Sequence, residues 1–322
     1  MNWKEVVKKY PEANFLQSPD SKKMNEILGD KVIEIEAKNG FATGAIRNAK
    51  RGRYLEIPCG PLVNFKDKKA LKDIFDKIRD EATREKCVFV RIRPQLLNSL
   101  ENLGILKSLG LKKSPMHLAA EHTVMIDLRK SEEDLLSSMR RQTRYEVRRA
   151  EKLGIKVSRD NSEKIFKEFH KVQVDTARRQ GFIPPNLKVL LAEREAFGDK
   201  IWIYKAEVEN KAIAYGLIIS EGLEGDYYEA ASTELNRKMP GAYAIIWQAT
   251  KDLKASGYER FNLWGIAPAG QPKHRYAGVT TFKTGFGGEI IEYVPAHDMI
   301  ISKVGYLKNL IVEKARKKRR HL

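Results

Sequence analysis

Hydrophobic and polar residues in the N-terminal half of the chain follow two different periods. Alternation with a period of two, or a short apolar run, predicts strands at 32–37, 41–46, 53–57 and 87–92. The turn sequence Asn39-Gly40 lies between the first two strands and indicates a hairpin. Apolar residues at helical spacing predict helices at 4–9, 19–28, 66–84 and 96–109.

The C-terminal half repeats this general order of elements. Strands are predicted at 123–128, 201–208, 211–220, 225–232 and 260–263. Helices are predicted from 131, at 139–152, 162–180, 186–197 and 240–256, and at the C-terminus. The order favours an α/β (α+β) protein of two similar domains, each a mixed, mainly antiparallel sheet flanked by helices. We predict a first domain at 1–145 and a second at 146–296, with the C-terminal helix at 297–322 packing on the first.

Length and composition narrow the class of protein. With 322 residues and 42% hydrophobic content, the chain can bury the cores of two domains. It has no apolar run of about 20 residues and no signal-peptide core at its start, so we expect a cytoplasmic protein without a transmembrane segment. Cys59 and Cys87 are too far apart for a CxxC pair, and the six histidines lack metal-ligand spacing. We therefore expect no metal and no cofactor.

The charge is the most informative feature of the composition. Sixty Lys and Arg against 42 Asp and Glu give a formal net charge of +18 and a pI near 9.7. Such a field attracts polyanions, namely nucleic acids, anionic lipid surfaces or phosphorylated substrates. A lysine-rich surface that only maintains solubility is the alternative interpretation.

Three sets of short motifs follow one another along nearly the whole chain. The first is Phe15-Leu16-Gln17-Ser18 with the turn Pro58-Cys59-Gly60-Pro61. The second joins the strand 123–128 to a helix that contains Arg144-Tyr145 and ends at Gly154. The third comprises Ala230-Ala231-Ser232, Arg237, Pro240, Tyr243, Trp247, Trp264-Gly265-Ile266 and Phe282-Lys283-Thr284-Gly285-Phe286-Gly287. In this order the motifs resemble those of the FemABX family of peptidoglycan aminoacyltransferases.

The resemblance implies two domains that are similar to GCN5-related N-acetyltransferases (GNAT). It also implies transfer of an amino acid from aminoacyl-tRNA to the stem-peptide amine of a lipid-linked or nucleotide-linked peptidoglycan precursor. Because the donor ester is already activated, such an enzyme needs positioning, oxyanion stabilisation and a route for the amine proton rather than a covalent nucleophile. The Gly285–Gly288 segment lacks the Lys-Ser/Thr of a phosphate-binding P-loop, so ATP is not expected.

The resemblance points to four residues around the acyl-transfer site. Lys283 falls on a lysine that the family needs to use aminoacyl-tRNA, and its ammonium could neutralise a tRNA phosphate or a developing oxyanion. Tyr243 and Arg237 flank the same cleft in the family, and a tyrosine there can stack on the terminal adenine. Tyr228 has a similar position beside the Ala-Ala-Ser strand. The alternatives are a lysine that fixes a turn, core tyrosines and a solvated arginine.

Two basic segments are candidates for contacts with phosphates. In the helix 139–152 the basic residues are Arg140, Arg141, Arg144, Arg148, Arg149 and Lys152. They could contact the tRNA backbone or the pyrophosphate of a lipid-linked precursor, or the helix could be a solvated connection. The run 314–320 is typical of a nucleic-acid or anionic-membrane tail, and a peripheral membrane contact is one possibility; the alternative is a frayed terminus.

This chain departs from the family pattern at two positions. Arg93-Pro94 stands where members that use a nucleotide-linked precursor have Asp-Pro, which argues against the same binding mode. Glu229 replaces the second tyrosine of a Tyr-x-Tyr-Ala-x-Ser strand, and its carboxylate could accept a proton from the attacking amine. The segment 154–193 is also too short for the coiled-coil arm of some glycyl-transferring members.

Two other functions remain open from the sequence. The first is a GNAT-like N-acyltransferase with another donor such as acyl-CoA, although the segment Lys238-Met239-Pro240-Gly241-Ala242 does not match a pyrophosphate loop. The second is a non-catalytic RNA-binding protein, although the chain has no RRM or KH signature.

Overall fold

The computed structural model describes residues 2–49, 52–181, 183–271, 274 and 276–320, with the backbone alone for 316–320. The chain forms two compact units, Met1–Glu121 with Glu292–Leu322, and His122–Ile291. These divisions differ from the predicted ones at 145 and 296. The reason is that the strand His122–Asp127 pairs with Arg260–Asn262, which brings residues 122–127 into the second unit.

Helices and strands fill most of the described chain. The helices are α1 (Trp3–Lys9), α2 (Pro19–Ile27), α3 (Lys68–Arg84), α4 (Leu100–Ser108), α5 (Glu132–Ser138), α6 (Arg141–Lys152), α7 (Glu163–Gln180), α8 (Leu187–Phe197), α9 (Gly241–Ala255), α10 (Ala277–Thr284) and α11 (Lys303–Arg320). The strands are β1 (Lys31–Ala37), β2 (Gly40–Ala49), β3 (Gly52–Cys59), β4 (Leu62–Val63), β5 (Phe89–Pro94), β6 (Lys112–Lys113), β7 (His122–Asp127), β8 (Lys156–Asp160), β9 (Ile201–Val208), β10 (Lys211–Glu221), β11 (Glu224–Ser232), β12 (Arg260–Asn262), β13 (Glu289–Glu292) and β14 (His297–Ile300).

Capping side chains fix where several helices begin. The Ser18 side chain accepts a hydrogen bond from the Ser21 amide, and Pro19 occupies the first helical position of α2. Ser99 caps α4 in the same way, so this helix begins at Leu100 rather than at the predicted residue 96. Asp67 accepts from the amides of Lys69 and Ala70 and starts α3 just after the predicted position.

The first unit is built on one mixed sheet. Its strands have the order β1-β2-β3-β5-β14-β6, with β4 paired to β2. The pair β3/β5 is parallel, whereas the pairs β1/β2, β2/β3 and β5/β14 are antiparallel. Inward-facing residues of these strands, such as Ile46, Ile57 and Ile92, pack with Ile74 and Ile78 of α3 and are fully buried. The predicted hairpin at Asn39-Gly40 is confirmed by the register of β1 and β2.

The second unit repeats this plan with a second mixed sheet of order β13-β7-β12-β11-β10-β9-β8. The pair β11/β12 is parallel, and β7/β12, β9/β10, β10/β11 and β8/β9 are antiparallel. Helix α9 packs on this sheet through Ile245, Ile246 and Ala249, which are fully buried. The predicted architecture of two mixed sheets flanked by helices is therefore confirmed. Between β8 and β9 the described residues form two helices of 18 and 11 residues, in agreement with the predicted lack of a coiled-coil arm.

Six elements have no counterpart among the predicted ones. Strand β8 is an edge strand with mainly exposed residues, so it shows no alternation. Strand β14 buries the polar residues His297 and Asp298, which gives no apolar signal. The other four are the short strands β4, β6 and β13 and the helix α10. In the described ranges, none of the helices combines the length and apolarity that crossing a membrane requires.

Candidate active site

A β-bulge shapes the middle of β11 in the second unit. Leu217 of β10 pairs with Glu229, but the next residue, Ile218, pairs with Tyr227. Tyr228 is therefore the extra residue of the bulge, which bends the strand and redirects neighbouring side chains. The consecutive residues Tyr227, Tyr228 and Glu229 at this bulge all line a cleft.

The cleft lies where β11 and β12 separate. The parallel pairing of these strands ends at Asp226 and Asn262, while β11 continues to Ser232 in its ladder with β10. The cleft has a volume of about 900 Å³ and lies along residues 227–232 of β11. Its other walls come from α7, the first turn of α9, and α10, which contribute Gln173, Tyr243 and Lys283.

Lys283 is a buried cation in the wall of the cleft. It lies in the last turn of α10 and is only 8% exposed. Its Nζ donates a hydrogen bond to the Gly265 carbonyl oxygen at 3.0 Å and lies 5.8 Å from the centre of the Tyr227 ring. Burial lowers the pKa of Lys283 to about 7. At neutral pH this amine can therefore both donate and accept a proton.

A tight glycine turn follows α10 and fixes the position of Lys283. Gly287 and Gly288 have φ angles of +78° and +87°, which side-chain-bearing residues rarely adopt. A Cβ atom at Gly288 would lie 2.5 Å from the Met125 carbonyl oxygen of β7. Gly287 and Gly288 thus have a conformational role, because they let the chain pass from α10 to β13 in close contact with β7.

Gln173 and Glu229 also line the cleft, and Glu193 is buried where the charge of Glu229 acts on it. The Gln173 Nε2 donates a hydrogen bond to the Glu229 Oε2 at 2.6 Å. Burial raises the pKa of the Glu229 carboxyl to about 7, although the bond from Gln173 acts to lower it. Glu193 of α8 is 4% exposed, and its Oε2 has no hydrogen-bond partner among the described residues. Burial first, and then the charge of Glu229, raise the pKa of Glu193 well above its usual value.

This arrangement makes the two glutamates chemically different. Burial and the charge of Glu229 favour the protonated form of Glu193, whereas the pKa of Glu229 is about 7. Glu229 lines the cleft, so at neutral pH its carboxylate can accept a proton from a group that enters the cleft.

Aromatic rings surround the space between Lys283 and Glu229. Tyr228 packs edge-on against Trp264 with ring centres 5.3 Å apart. Tyr243 contacts Phe282 in the same way at 4.9 Å, and burial raises its pKa. Tyr227 is almost fully buried beneath Lys283, and burial also raises its pKa. Of these rings, those of Tyr227, Tyr228, Tyr243 and Phe282 line the cleft.

The structure places Arg237 outside this group. It ends a short 3₁₀ helix, Glu234–Arg237, with 76% of its side chain exposed, and it pairs with Glu234 at 3.2 Å. The cleft-lining residues of the described chain do not include it.

In the first unit, Arg93 is 1% exposed and bonded to Cys59 and Gln95, with its guanidinium over the Tyr293 ring. Arg93, which stands where members that use a nucleotide-linked precursor have aspartate, is therefore buried inside the first unit.

The basic residues of α6 and of its N-cap, Arg140, divide into two sets. Arg140, Arg144 and Arg149 donate to backbone carbonyl groups of the same unit, at Thr281, Ser137 and Lys238 respectively. Arg141, Arg148 and Lys152 are exposed. Together with Tyr145, which is 57% exposed, they follow one another at helical spacing. We call Arg141, Tyr145, Arg148 and Lys152 the outer face of α6.

The cleft therefore brings together Lys283, Glu229, Tyr228 and Tyr243 from the sequence predictions. Sequence reasoning missed Gln173 and Glu193. Both lie among apolar residues at helical spacing, Gln173 between Phe169 and Ala177, and Glu193 between Leu190 and Phe197. A polar residue on such a buried face was the available signal. The described ranges contain no group of His, Cys, Asp and Glu side chains that could hold a metal ion.

Comparison with known proteins links the chain to one family. The family described as the FemAB family matches residues 2–214 and 202–314. The lipid II:glycine glycyltransferase of Staphylococcus haemolyticus (strain JCSC1435) is 30% identical over 137 residues, which cover 40% of this chain and 32% of that protein. The aminoacyltransferase FemA of Staphylococcus epidermidis (strain ATCC 12228 / FDA PCI 1200) is 21% identical over 356 residues, covering 84% and 85% of the two chains.

Solved structures show the same fold. The crystal structure of FemX superimposes with a TM-score of 0.85 at 17% identity and covers 96% of this chain and 97% of that one. A tandem GNAT protein from the clavulanic acid biosynthesis pathway gives a TM-score of 0.57 at 9% identity, with 93% and 94% covered. The predicted GNAT-like fold of the two sheets is confirmed.

Proposed function

Because the chain belongs to the FemAB family, we propose that it is an aminoacyltransferase that moves an amino acid from aminoacyl-tRNA to the stem-peptide amine of a peptidoglycan precursor. The observation that carries the proposal is the cleft of the second unit, where Lys283 and Glu229 line a space of about 900 Å³. The names of the two relatives, a lipid II:glycine glycyltransferase and an aminoacyltransferase, support the acceptor and the reaction class.

The cleft contains the groups that aminolysis of an ester needs. The acceptor ammonium first loses a proton to the Glu229 carboxylate. The free amine then forms a bond to the acyl carbon, and the ester bond to the 3′ oxygen of tRNA breaks. The second amine proton ends on that 3′ oxygen, so the products are an amide and a free tRNA hydroxyl. Lys283 in its charged form donates to the oxygen that becomes negative during attack.

The two pKa values near 7 fit this division of roles. Glu229 must be ionised to accept a proton, and Lys283 must be protonated to stabilise the oxyanion. Both conditions are met by a substantial fraction of molecules only near neutral pH. The reaction would take place in the cytoplasm, where aminoacyl-tRNA is found.

A transfer assay tests the proposal directly. The purified full chain is incubated with a tRNA pool charged with labelled amino acids, and with a lipid-linked or a nucleotide-linked precursor. We expect label on one precursor, and pretreatment with ribonuclease should abolish it. Label transferred from acyl-CoA but not from charged tRNA would instead identify an N-acyltransferase with another donor. Binding of tRNA without transfer to either precursor would favour a non-catalytic RNA-binding protein.

The outer face of α6 is the part of the basic helix that can contact tRNA phosphates. A triple substitution, Arg141→Gln, Arg148→Gln and Lys152→Gln, removes three exposed charges without touching the arginines bonded to carbonyl groups. We expect tRNA affinity to fall by about tenfold or more at low salt, and the slope of log K against log salt to decrease by about two units. Fluorescence anisotropy of labelled tRNA over a salt series measures both.

The matched control removes the same charge elsewhere. Lys8, Lys68 and Lys107 are exposed residues of the first unit, and their triple replacement by glutamine lowers the net charge equally. If both triple variants weaken tRNA binding to the same extent, attraction by the net charge explains the binding and the outer face has no specific part in it.

A further inference from the structure

Helix α11 of the first unit is packed with its polar side inward. Tyr306, Asn309 and Glu313 are 6%, 2% and 4% exposed. By contrast, Val304, Leu307 and Ile311 are 71%, 57% and 62% exposed. These three residues are three and four positions apart, so they form one continuous stripe along the helix. A helix on a protein surface normally has the opposite distribution.

Polar contacts explain how the helix is held in this orientation. Glu313 accepts a hydrogen bond at 2.8 Å from Arg91, which also binds Asp298 at 2.8 Å. The Tyr306 hydroxyl donates to the same Asp298 carboxylate at 3.0 Å. All four side chains are buried. Because these bonds fix the polar side, the aliphatic stripe has to point away from the first unit.

The charges beside the stripe all have the same sign. Lys303, Lys308 and Lys314 are exposed on both sides of it. Glu313 is the one acidic residue between 303 and 320, and it is paired with Arg91 inside the unit. The sequence continues with five more basic residues at 316–320, whose side chains lie outside the described structure.

We propose that α11 lies flat on an anionic phospholipid bilayer, with Val304, Leu307 and Ile311 inserted among the acyl chains and the lysines at the headgroup phosphates. An aliphatic stripe flanked by lysines matches the two layers of a bilayer surface, apolar below and anionic above. RNA offers phosphates but no apolar layer to cover three aliphatic side chains. The inference rests on the first unit alone and does not depend on the proposed reaction.

Vesicle cosedimentation with the full chain tests this inference. We expect the protein to bind vesicles that contain phosphatidylglycerol and phosphatidylcholine. Its affinity for vesicles of phosphatidylcholine alone should be lower by about tenfold or more. The double substitution Leu307→Gln and Ile311→Gln should reduce binding to the anionic vesicles by about tenfold or more. Lys303→Gln with Lys308→Gln should also reduce it, and should make the remaining binding less sensitive to salt. Hydrogen exchange across 303–315 should slow when anionic vesicles are added.

Leu100→Gln with Leu97→Gln is the matched control, because these leucines of the first unit are 91% and 56% exposed. It should leave vesicle binding unchanged, and both double variants should keep the wild-type melting temperature since the replaced side chains are exposed. Absence of binding to anionic vesicles overturns the inference, and so does equal binding by wild type and the Leu307/Ile311 variant. If that variant loses affinity for tRNA and not for vesicles, the stripe belongs to an RNA-binding surface instead.

Discussion

Replacing Lys283 with methionine is expected to lower kcat for aminoacyl transfer by about 10²- to 10³-fold, the usual effect of removing one oxyanion donor. Methionine has a similar length and fits a site that is only 8% exposed, but it cannot donate to the developing oxyanion. Since the donation is made in the transition state, KM for aminoacyl-tRNA should change little. Single-turnover transfer and tRNA binding, measured separately, distinguish the two effects.

Lys254→Met provides the matched control in the same unit. The Lys254 Nζ donates to the Leu128 carbonyl oxygen at 2.9 Å, just as Lys283 donates to Gly265 at 3.0 Å, but it does not line the cleft. Both variants therefore lose one bond to a backbone carbonyl. If the two lose activity to a similar extent, or if Lys283→Met raises KM alone, Lys283 has a structural or tRNA-binding role and the proposed oxyanion contact is wrong.

The sequence allowed much of the fold to be predicted because apolar alternation and caps are local signals. The hairpin of β1 and β2 follows from Asn39-Gly40, and α3 follows from the spacing of Leu71, Ile74 and Ile78. Strand β14 could not be found in this way, because its buried Asp298 is stabilised by Arg91, which is distant in sequence. Long-range pairing of this kind leaves no periodic trace in the sequence.

The candidate site in the cleft could also be predicted only in part from the sequence. Motif resemblance selected Lys283 and Glu229, but it gave no reason for their protonation behaviour. Burial lowers the pKa of Lys283 and raises that of Glu229 against the effect of the hydrogen bond from Gln173, and only the folded chain creates these surroundings. The bulge at Tyr228 also escapes prediction, because it depends on the register between β10 and β11. Motif resemblance also selected Arg237, but the folded chain places this residue outside the cleft, where it pairs with Glu234.

Glu229→Gln is the second substitution for which we expect a large loss of activity. The amide keeps the shape of the side chain but cannot accept the amine proton, so kcat should fall by about 10²- to 10⁴-fold. In the wild type, the rate should rise with pH as Glu229 ionises near pH 7 and fall at higher pH as Lys283 loses its proton. The variant should lack the acidic limb of this bell-shaped profile. Rates measured from pH 5.5 to 9 with a fixed concentration of charged tRNA test both expectations.

Glu193→Gln is the control that separates proton transfer from packing. Because burial and the charge of Glu229 favour the protonated form of Glu193, a neutral amide should imitate it and retain most of the activity and the acidic limb. Stability gives an independent check. The raised pKa of Glu229 means that the folded protein binds a proton between its usual value of 4.5 and about 7, so this group lowers stability as pH rises through that range. Glu229→Gln should remove that pH dependence and leave the protein at least as stable above pH 7. If Glu229→Gln folds with wild-type stability and keeps full activity, Glu229 is not the proton acceptor.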